Sequence, residues 1–367
     1  MKIKTGFMLL LVCSLTINTT FAHPSFAHAD TTTIEQSQQH QLKQALQKAH
    51  ANAIILVDGK NHNHPIVISN RVKQKGKRAK AINPNRLFPI ASFQKSMTGV
   101  AIEQLLHEKK LFLATPLSKY CPQVHNALQI SVQQLLTHTS GLADSNDMAH
   151  KAWRRQSRLM NYTKNNYDST GKPNQWHYAN VNYGFLAIII GKVSHESYYK
   201  YMKKNVLDPY HLKEARFYSQ VKNKKKQITP SINVSYQKDM HEKGHPWHYL
   251  GREVATEYGA GDLMCSPYDY WRFVNEALLA KPTRLVRYER YASGNDTPYY
   301  AGLYIHPHEI HTNASYDGYS ATMYSDWIHH KTIMVFSNNL THKQMRSLAP
   351  IVYRIYYGQN HKGGFAY

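Results

Sequence analysis

The stretch Leu87-Phe88-Pro89-Ile90-Ala91-Ser92-Phe93-Gln94-Lys95, continued by Met97 through Leu106, is where an apolar run meets a helix-like pattern. That boundary puts Ser92 at an opening helical turn, where the helix N-terminus lends partial positive charge, and sets Lys95 three residues on, on the same face. A lysine held there and partly desolvated can shed its proton near neutral pH and activate the hydroxyl. Four further Ser-x-x-Lys tetrads, Ser169/Lys172, Ser197/Lys200, Ser219/Lys222 and Ser235/Lys238, lack the preceding apolar run and read as polar surface. Taken alone, even the first tetrad reads more readily as a helix N-cap serine with a solvated lysine.

A second element changes the balance. Of 27 tyrosines, only Tyr178 has an asparagine two places later, in Tyr178-Ala179-Asn180. A polar, helix-poor stretch from Asn161 to His177 precedes it, and Tyr183 to Ile190 starts an apolar helix after it. A phenol and a carboxamide thus sit on a loop tied to a buried element, where positioned groups are usually found. With Gln134-Leu135-Leu136-Thr137-His138-Thr139-Ser140-Gly141-Leu142, Tyr258-Gly259-Ala260-Gly261-Asp262-Leu263 and Asp317-Gly318-Tyr319-Ser320, the ordered set resembles the serine β-lactamase and penicillin-binding protein superfamily. Within it the chain is most similar to class C-like exported serine hydrolases, from about Asn52 to the C-terminal helix. The resemblance implies Ser92 as nucleophile, Lys95 and Tyr178 as the proton-transfer pair, and Asn180 as a group that positions substrate or lysine. It implies no cofactor and no metal.

The third motif of that superfamily, Lys/His-Thr/Ser-Gly on a late strand, is degenerate here. His311-Thr312-Asn313 keeps two residue types but lacks the glycine and lies about one residue upstream; Ala314-Ser315-Tyr316 has the spacing but no cation. His311 and Ser315 are therefore the candidate substrate contacts. In the superfamily, the cation and hydroxyl there hold the carboxylate of a D-Ala-D-Ala terminus or a β-lactam. An oxyanion hole of backbone N–H groups survives side-chain change; a carboxylate anchor does not. The expected substrate is an ester without a carboxylate, the D-alanyl ester of teichoic acid. The rivals are a D,D-carboxypeptidase and a wall-binding or regulatory protein that has lost turnover.

Lys2 and Lys4 ahead of Phe7 to Leu15, then Ala27-His28-Ala29, have the layout of a secretory signal peptide over residues 1–29, cleaved after Ala29. The chain is thus expected outside the cell, associated with its wall. Forty-five Lys and Arg against 23 Asp and Glu give a formal net charge of +22, which attracts polyanions over long range. No nucleic-acid module is recognisable, so the expected polyanion is cell-wall polymer, teichoic acid or peptidoglycan-linked, met by peripheral contact. Cys121 and Cys265 read as small core residues, with a disulfide open to an exported chain. His306-Pro307-His308-Glu309-Ile310-His311 is the densest histidine cluster, but it falls between expected strands and has no separate acidic ligand.

No linker divides residues 30–367, which read as one hydrolase domain. Thr33 to Ala51 reads as an amphipathic helix, with strands at Ala53-Ile54-Ile55-Leu56-Val57 and Pro65 to Ser69. Strand signals return only near Tyr299 to His306, Ser320 to Ser325 and Thr332 to Ser337, before a closing helix His342 to Tyr357. The pattern predicts an α/β fold of the α+β type. Its mostly antiparallel sheet is built from N- and C-terminal strands, flanked by helices, with a mostly helical region inserted at about 97–279. This is the β-lactamase/transpeptidase-like arrangement that the resemblance implies.

Overall fold

The computed structural model describes residues 34–59, 64–74, 76–147, 149–233 and 246–358; the expected signal segment and Ser235/Lys238 lie outside them. Strand β1 (Ala53–Val57) shows how the apolar run is used. Ile54 and Leu56 face one core and Ala53, Ile55 and Val57 face another, the two-residue alternation of a strand buried on both sides. β1 pairs with β2 (Ile66–Asn70) and, across nearly the whole chain, with the last strand. The strands in between are β3 (Tyr299–Tyr300), β4 (Leu303–His306), β5 (Glu309–Tyr316), β6 (Tyr319–Asp326) and β7 (Lys331–Ser337). The antiparallel sheet runs in the order β3-β4-β5-β6-β7-β1-β2.

One sheet face is covered by α1 (Gln36–Lys48) and by the closing helix α4 (His342–Tyr357), which inserts Met345, Leu348, Ala349 and Val352. The helical region covers the other face. Its centre is α2 (Gln94–His107), in which Met97, Val100, Ala101, Ile102 and Leu105 are buried, packed on α3 (Asn180–Ser194). No helix of the described residues is long and apolar enough to cross a membrane. Cys121 and Cys265 are buried free thiols of this larger core.

Three details differ from the sequence expectation. Tyr299 to His306 is two strands, because Ala301 (φ 52°) and Gly302 (φ 87°) turn the chain tightly against α2. A Cβ on Gly302 would collide with the backbone nitrogen of Ser96, so only glycine lets the hairpin seat there. Short strands also occur in the helical region: Leu263–Cys265 pairs with Phe88–Pro89 and Arg216–Phe217, and Leu142–Asp144 with Tyr167–Ser169. Finally, Glu309, Ile310 and His311 are not a connection but the first residues of β5.

Candidate active site

Ser92 lies in the single turn Ala91–Phe93 that leads into α2. Ala91 adopts φ 42°, a left-handed conformation that costs a non-glycine residue of order 1–3 kcal/mol and is found where a side chain must be aimed. The neighbouring Phe93 is locked by stacking on Tyr270, with ring centroids 4.4 Å apart. One helical step later Lys95 is buried, and its Nζ donates to Ser92 Oγ at 2.9 Å, to Asn180 Oδ1 at 2.7 Å and to the Ala260 carbonyl at 3.4 Å. Burial lowers the ammonium pKa to about 8, against the opposing pull of Glu257 and Asp144. The Tyr178 hydroxyl donates to the same Ser92 Oγ at 2.8 Å, and burial pushes its pKa far up, so the phenol keeps its proton. Lys95 Nζ also sits 4.9 Å from the centre of the Tyr178 ring.

The loop carrying Tyr178 is fixed by the turn at His138. His177 N–H donates to the His138 carbonyl at 2.8 Å, Asn174 N–H to the Thr139 carbonyl at 2.8 Å, and Ala179 N–H to His138 Nδ1 at 3.2 Å. Burial holds the His138 imidazole neutral, and with Nδ1 accepting, its proton is on Nε2. Its ring packs on that of Tyr178 at 4.5 Å. His138 was legible only as part of a family segment; its position against Tyr178 makes it a positioning residue.

Asn180 begins α3, and its carboxamide is turned in two directions. Oδ1 faces Lys95, while Nδ2 donates to Glu257 Oε1 at 3.3 Å. Glu257 accepts the Tyr316 hydroxyl on Oε2 at 2.8 Å and precedes the turn Tyr258-Gly259-Ala260-Gly261-Asp262 that delivers the Ala260 carbonyl to the lysine. Asp262 anchors that turn, accepting from Gln94 Nε2 at 2.7 Å, Tyr199 OH at 2.6 Å and Gly259 N–H at 3.0 Å. Burial raises the Glu257 carboxyl to about 7 although Lys95 and the Tyr316 hydrogen bond oppose it. Sequence reading did not single out Glu257.

Ser92, Tyr178, Asn180 and Glu257 open into a cavity of about 370 Å³ whose far wall is β5 and α4, including His311, Ser315, His342 and Arg346. β4 pairs only with Glu309 to His311, so among the described residues β5 from Thr312 to Tyr316 presents an edge with no strand on it, and the Ser92 turn packs against this strand. Backbone N–H groups on such an edge can meet a carbonyl oxygen. Alternation places His311, Asn313 and Ser315 on one face and Thr312, Ala314 and Tyr316 on the other. His311 is stacked on Tyr304 at 4.7 Å, and burial lowers its pKa to about 3, with His306 adding to the effect. It is a neutral ring, not a charged anchor. Ser315 hydroxyl is turned to the Tyr319 carbonyl at 3.3 Å and to Ser320. The permanent cation on this wall is Arg346, which the sequence reading did not single out.

Through Asn180, Glu257 and Ser315 the cavity adjoins a second cleft of about 360 Å³, whose walls carry Asp144, Asp147, Glu253 and Asp317. Among the described residues, no group of three His, Cys, Asp or Glu side chains is arranged to hold a metal ion.

Known proteins are similar to this chain. The putative penicillin-binding protein PbpX of Bacillus subtilis is 27% identical over 74% of this chain and 67% of its own length. The teichoic acid D-alanine hydrolase of Staphylococcus aureus (strain MRSA252) is 25% identical over 66% of this chain and 59% of its own. Protein flp of Staphylococcus aureus (strain N315) is 33% identical, but over only 41% of this chain and 31% of its own. Two solved structures share the fold: FmtA from Staphylococcus aureus (TM-score 0.63, 21% identity, 88% of each chain) and D-amino acid amidase from Ochrobactrum anthropi SV3 (TM-score 0.68, 16% identity, 87% of this chain and 98% of that one). Residues 39–355 match the Beta-lactamase family, and with the sheet, the inserted helical region and the Ser92 cluster described above, the chain belongs to that family.

Proposed function

We propose that this chain is an exported, wall-associated serine hydrolase that works through an acyl-enzyme on cell-envelope esters, with D-alanyl esters of teichoic acid as substrate. The observation that carries the reading is the convergence of Lys95 Nζ and Tyr178 OH on one oxygen, Ser92 Oγ, at 2.9 and 2.8 Å. Neutral Lys95 takes the serine proton as Oγ attacks the ester carbonyl, and backbone N–H groups beside Ser92 and on the open edge of β5 take the developing oxyanion. Tyr178, a neutral phenol, hands its proton to the departing alcohol and is reprotonated from Lys95. Water then attacks the acyl-enzyme by the reverse relay, releasing D-alanine and restoring Ser92.

The choice of ester is supported by the neutral His311 at the third motif, by the +22 charge that draws the chain to polyanions, and by similarity to a teichoic acid D-alanine hydrolase. A D,D-carboxypeptidase is the second reading, and Arg346 in the cavity wall favours it, because a guanidinium can hold a substrate carboxylate. Purified protein incubated with D-alanylated teichoic acid should release D-alanine, while a pentapeptide ending in D-Ala-D-Ala should yield negligible D-alanine. The reverse preference would replace the esterase by the peptidase; no release from either, with the Ser92→Ala variant indistinguishable from the parent on activated esters, would reject a serine hydrolase.

A further inference from the structure

Glu257 is an unusual neighbour for a general-base lysine. It keeps part of its surface open to the cavity, yet among the described residues no ion pair closes it off; Asn180 stands between it and Lys95. One hydrogen bond to each oxygen, from Asn180 Nδ2 and Tyr316 OH, leaves further lone pairs on both. Space for the carboxylate is made by Gly261, where a Cβ would collide with Glu257 Oε2 and the Tyr316 hydroxyl. Behind it the adjoining cleft is lined by Asp144, Asp147, Glu253 and Asp317, a concentration of acidic residues in a chain with 45 basic and 23 acidic residues. A second observation is independent of that charge: Glu253 Oε2 is buried against this cleft and meets no donor at hydrogen-bond geometry among the described residues, the carboxyl being supported only by the Asp317 backbone N–H. A buried acceptor short of donors costs free energy that a further N–H recovers.

We propose that Glu257, backed by Glu253, is an ammonium-recognising group that selects acyl donors carrying a free α-amino group, that is, aminoacyl esters rather than simple acyl esters. This rests on the esterase reading of Ser92 and gives it a specificity determinant. In an aminoacyl ester the ammonium stands two bonds from the carbonyl carbon. With that carbon at Ser92 Oγ, the side of the cavity reached through Asn180 meets the ammonium with carboxylate, while the alcohol side faces β5 and α4. Burial holds both the Glu257 and Glu253 carboxyls above their ordinary range, as expected of acids that gain most from a cation alongside. Glu257 would touch substrate; Gly261 and Tyr316 position it.

Two arms separate this inference from the esterase reading. In the first, the full chain with Ser92→Ala is titrated with D-alanine methyl ester and N-acetyl-D-alanine methyl ester by ligand-observed NMR. The free amine should bind roughly ten- to a hundredfold more tightly, the scale of one charge-assisted contact. Adding Glu257→Gln, which retains an acceptor oxygen, should erase that preference by weakening only the free-amine ester, and Glu257→Asp should restore part of it. Equal binding of the two esters by the Ser92→Ala protein, a measurement that needs no change at Glu257, overturns the proposal. So does an equal loss for both esters in Glu257→Gln. In the second arm the parental protein is given both esters as substrates. No turnover of either, with the binding preference intact, would sink the hydrolase reading and leave the ammonium site standing; turnover without amine preference would do the opposite.

Discussion

Asp144 holds Asn180 by its backbone: Oδ2 accepts the Asn180 N–H at 2.8 Å from 36 positions away in sequence, and Oδ1 accepts the Val181 N–H at 2.8 Å. Ala179, the residue next to the helix, has no side chain to cap it, so α3 is capped from the strand Leu142–Asp144. The carboxylate thereby fixes the residue that orients Lys95. Asp144→Ala should lower stability by about 1 kcal/mol, the usual cost of a lost N-cap, and lower kcat as Asn180 loosens. A thermal melt and a kcat both matching the parent would show that the cap orients nothing.

The pH dependence follows from Lys95. Its pKa near 8 makes the base form rise with pH, so kcat/KM on a small neutral ester should climb through about pH 8 and level off above it. Glu257 and Asp144 raise this pKa, so removing either charge should move the inflection to lower pH. The sign for stability is the same. Between about 8 and the unfolded value of 10.5 the unfolded chain holds a proton that the folded one has lost, so this group makes the fold more stable as pH rises through that window. An activity profile flat from pH 6 to 9 would count against Lys95 as the base.

Tyr178→Phe removes the phenol proton but keeps the ring that packs on His138. It should reduce kcat by roughly 10²-fold or more with little change in the melt, and Lys95→Ala should do likewise. His138→Ala should act indirectly, reducing kcat less than Tyr178→Phe while losing stability, since it deletes a buried ring and the acceptor of Ala179 N–H. Parental kcat in Tyr178→Phe would leave Lys95 as the sole proton carrier.

Arg346 separates the two substrate readings. If it anchors a peptide carboxylate, Arg346→Ala should abolish any trace of D-Ala-D-Ala cleavage and leave a small neutral ester unaffected. Under the esterase reading the same change should spare both the neutral ester and D-alanine methyl ester, and at most weaken KM for the polyanionic polymer by about tenfold, one charge-assisted contact. Steady-state kinetics on the four substrates distinguishes these patterns.

Much of this was legible in the chain because it is local. The apolar run of β1, the stripe of Leu42, Ala45 and Leu46 on α1, and the spans of β7 and α4 are set by periodicity and by nearby caps such as Thr341 with Gln344. Ser92, Lys95, Tyr178 and Asn180 carried sequence context of their own, and the structure brings all four within hydrogen-bonding distance of one another in sequence from phenol to carboxamide. What was hidden depends on partners far along the chain. Glu257 is defined by Asn180 and Tyr316, Asp144 by the end of α3, and Arg346 by where α4 crosses the sheet. The charge of His311 could not be read from its identity, because Tyr304 beside it and the burial around it decide that the ring stays neutral. Likewise the break at Ala301 and Gly302 reflects the approach of α2, which no local propensity records.

The position of β1 inside the sheet has a consequence for biogenesis. Its register with β7 joins positions separated by almost the whole domain, as in the bond from Ser337 hydroxyl to the Asn52 carbonyl, 285 positions apart. Until the last strand has been synthesised, the hairpin of β1 and β2 has no ladder on its inner edge, and the core beneath α1 lacks the helix α4 that completes it. Closing so long a loop is slow and contributes nothing until it is finished. The sheet and the core beneath α1 are therefore completed only once the strand β7 and the helix α4 have been made, so these contacts close late in synthesis.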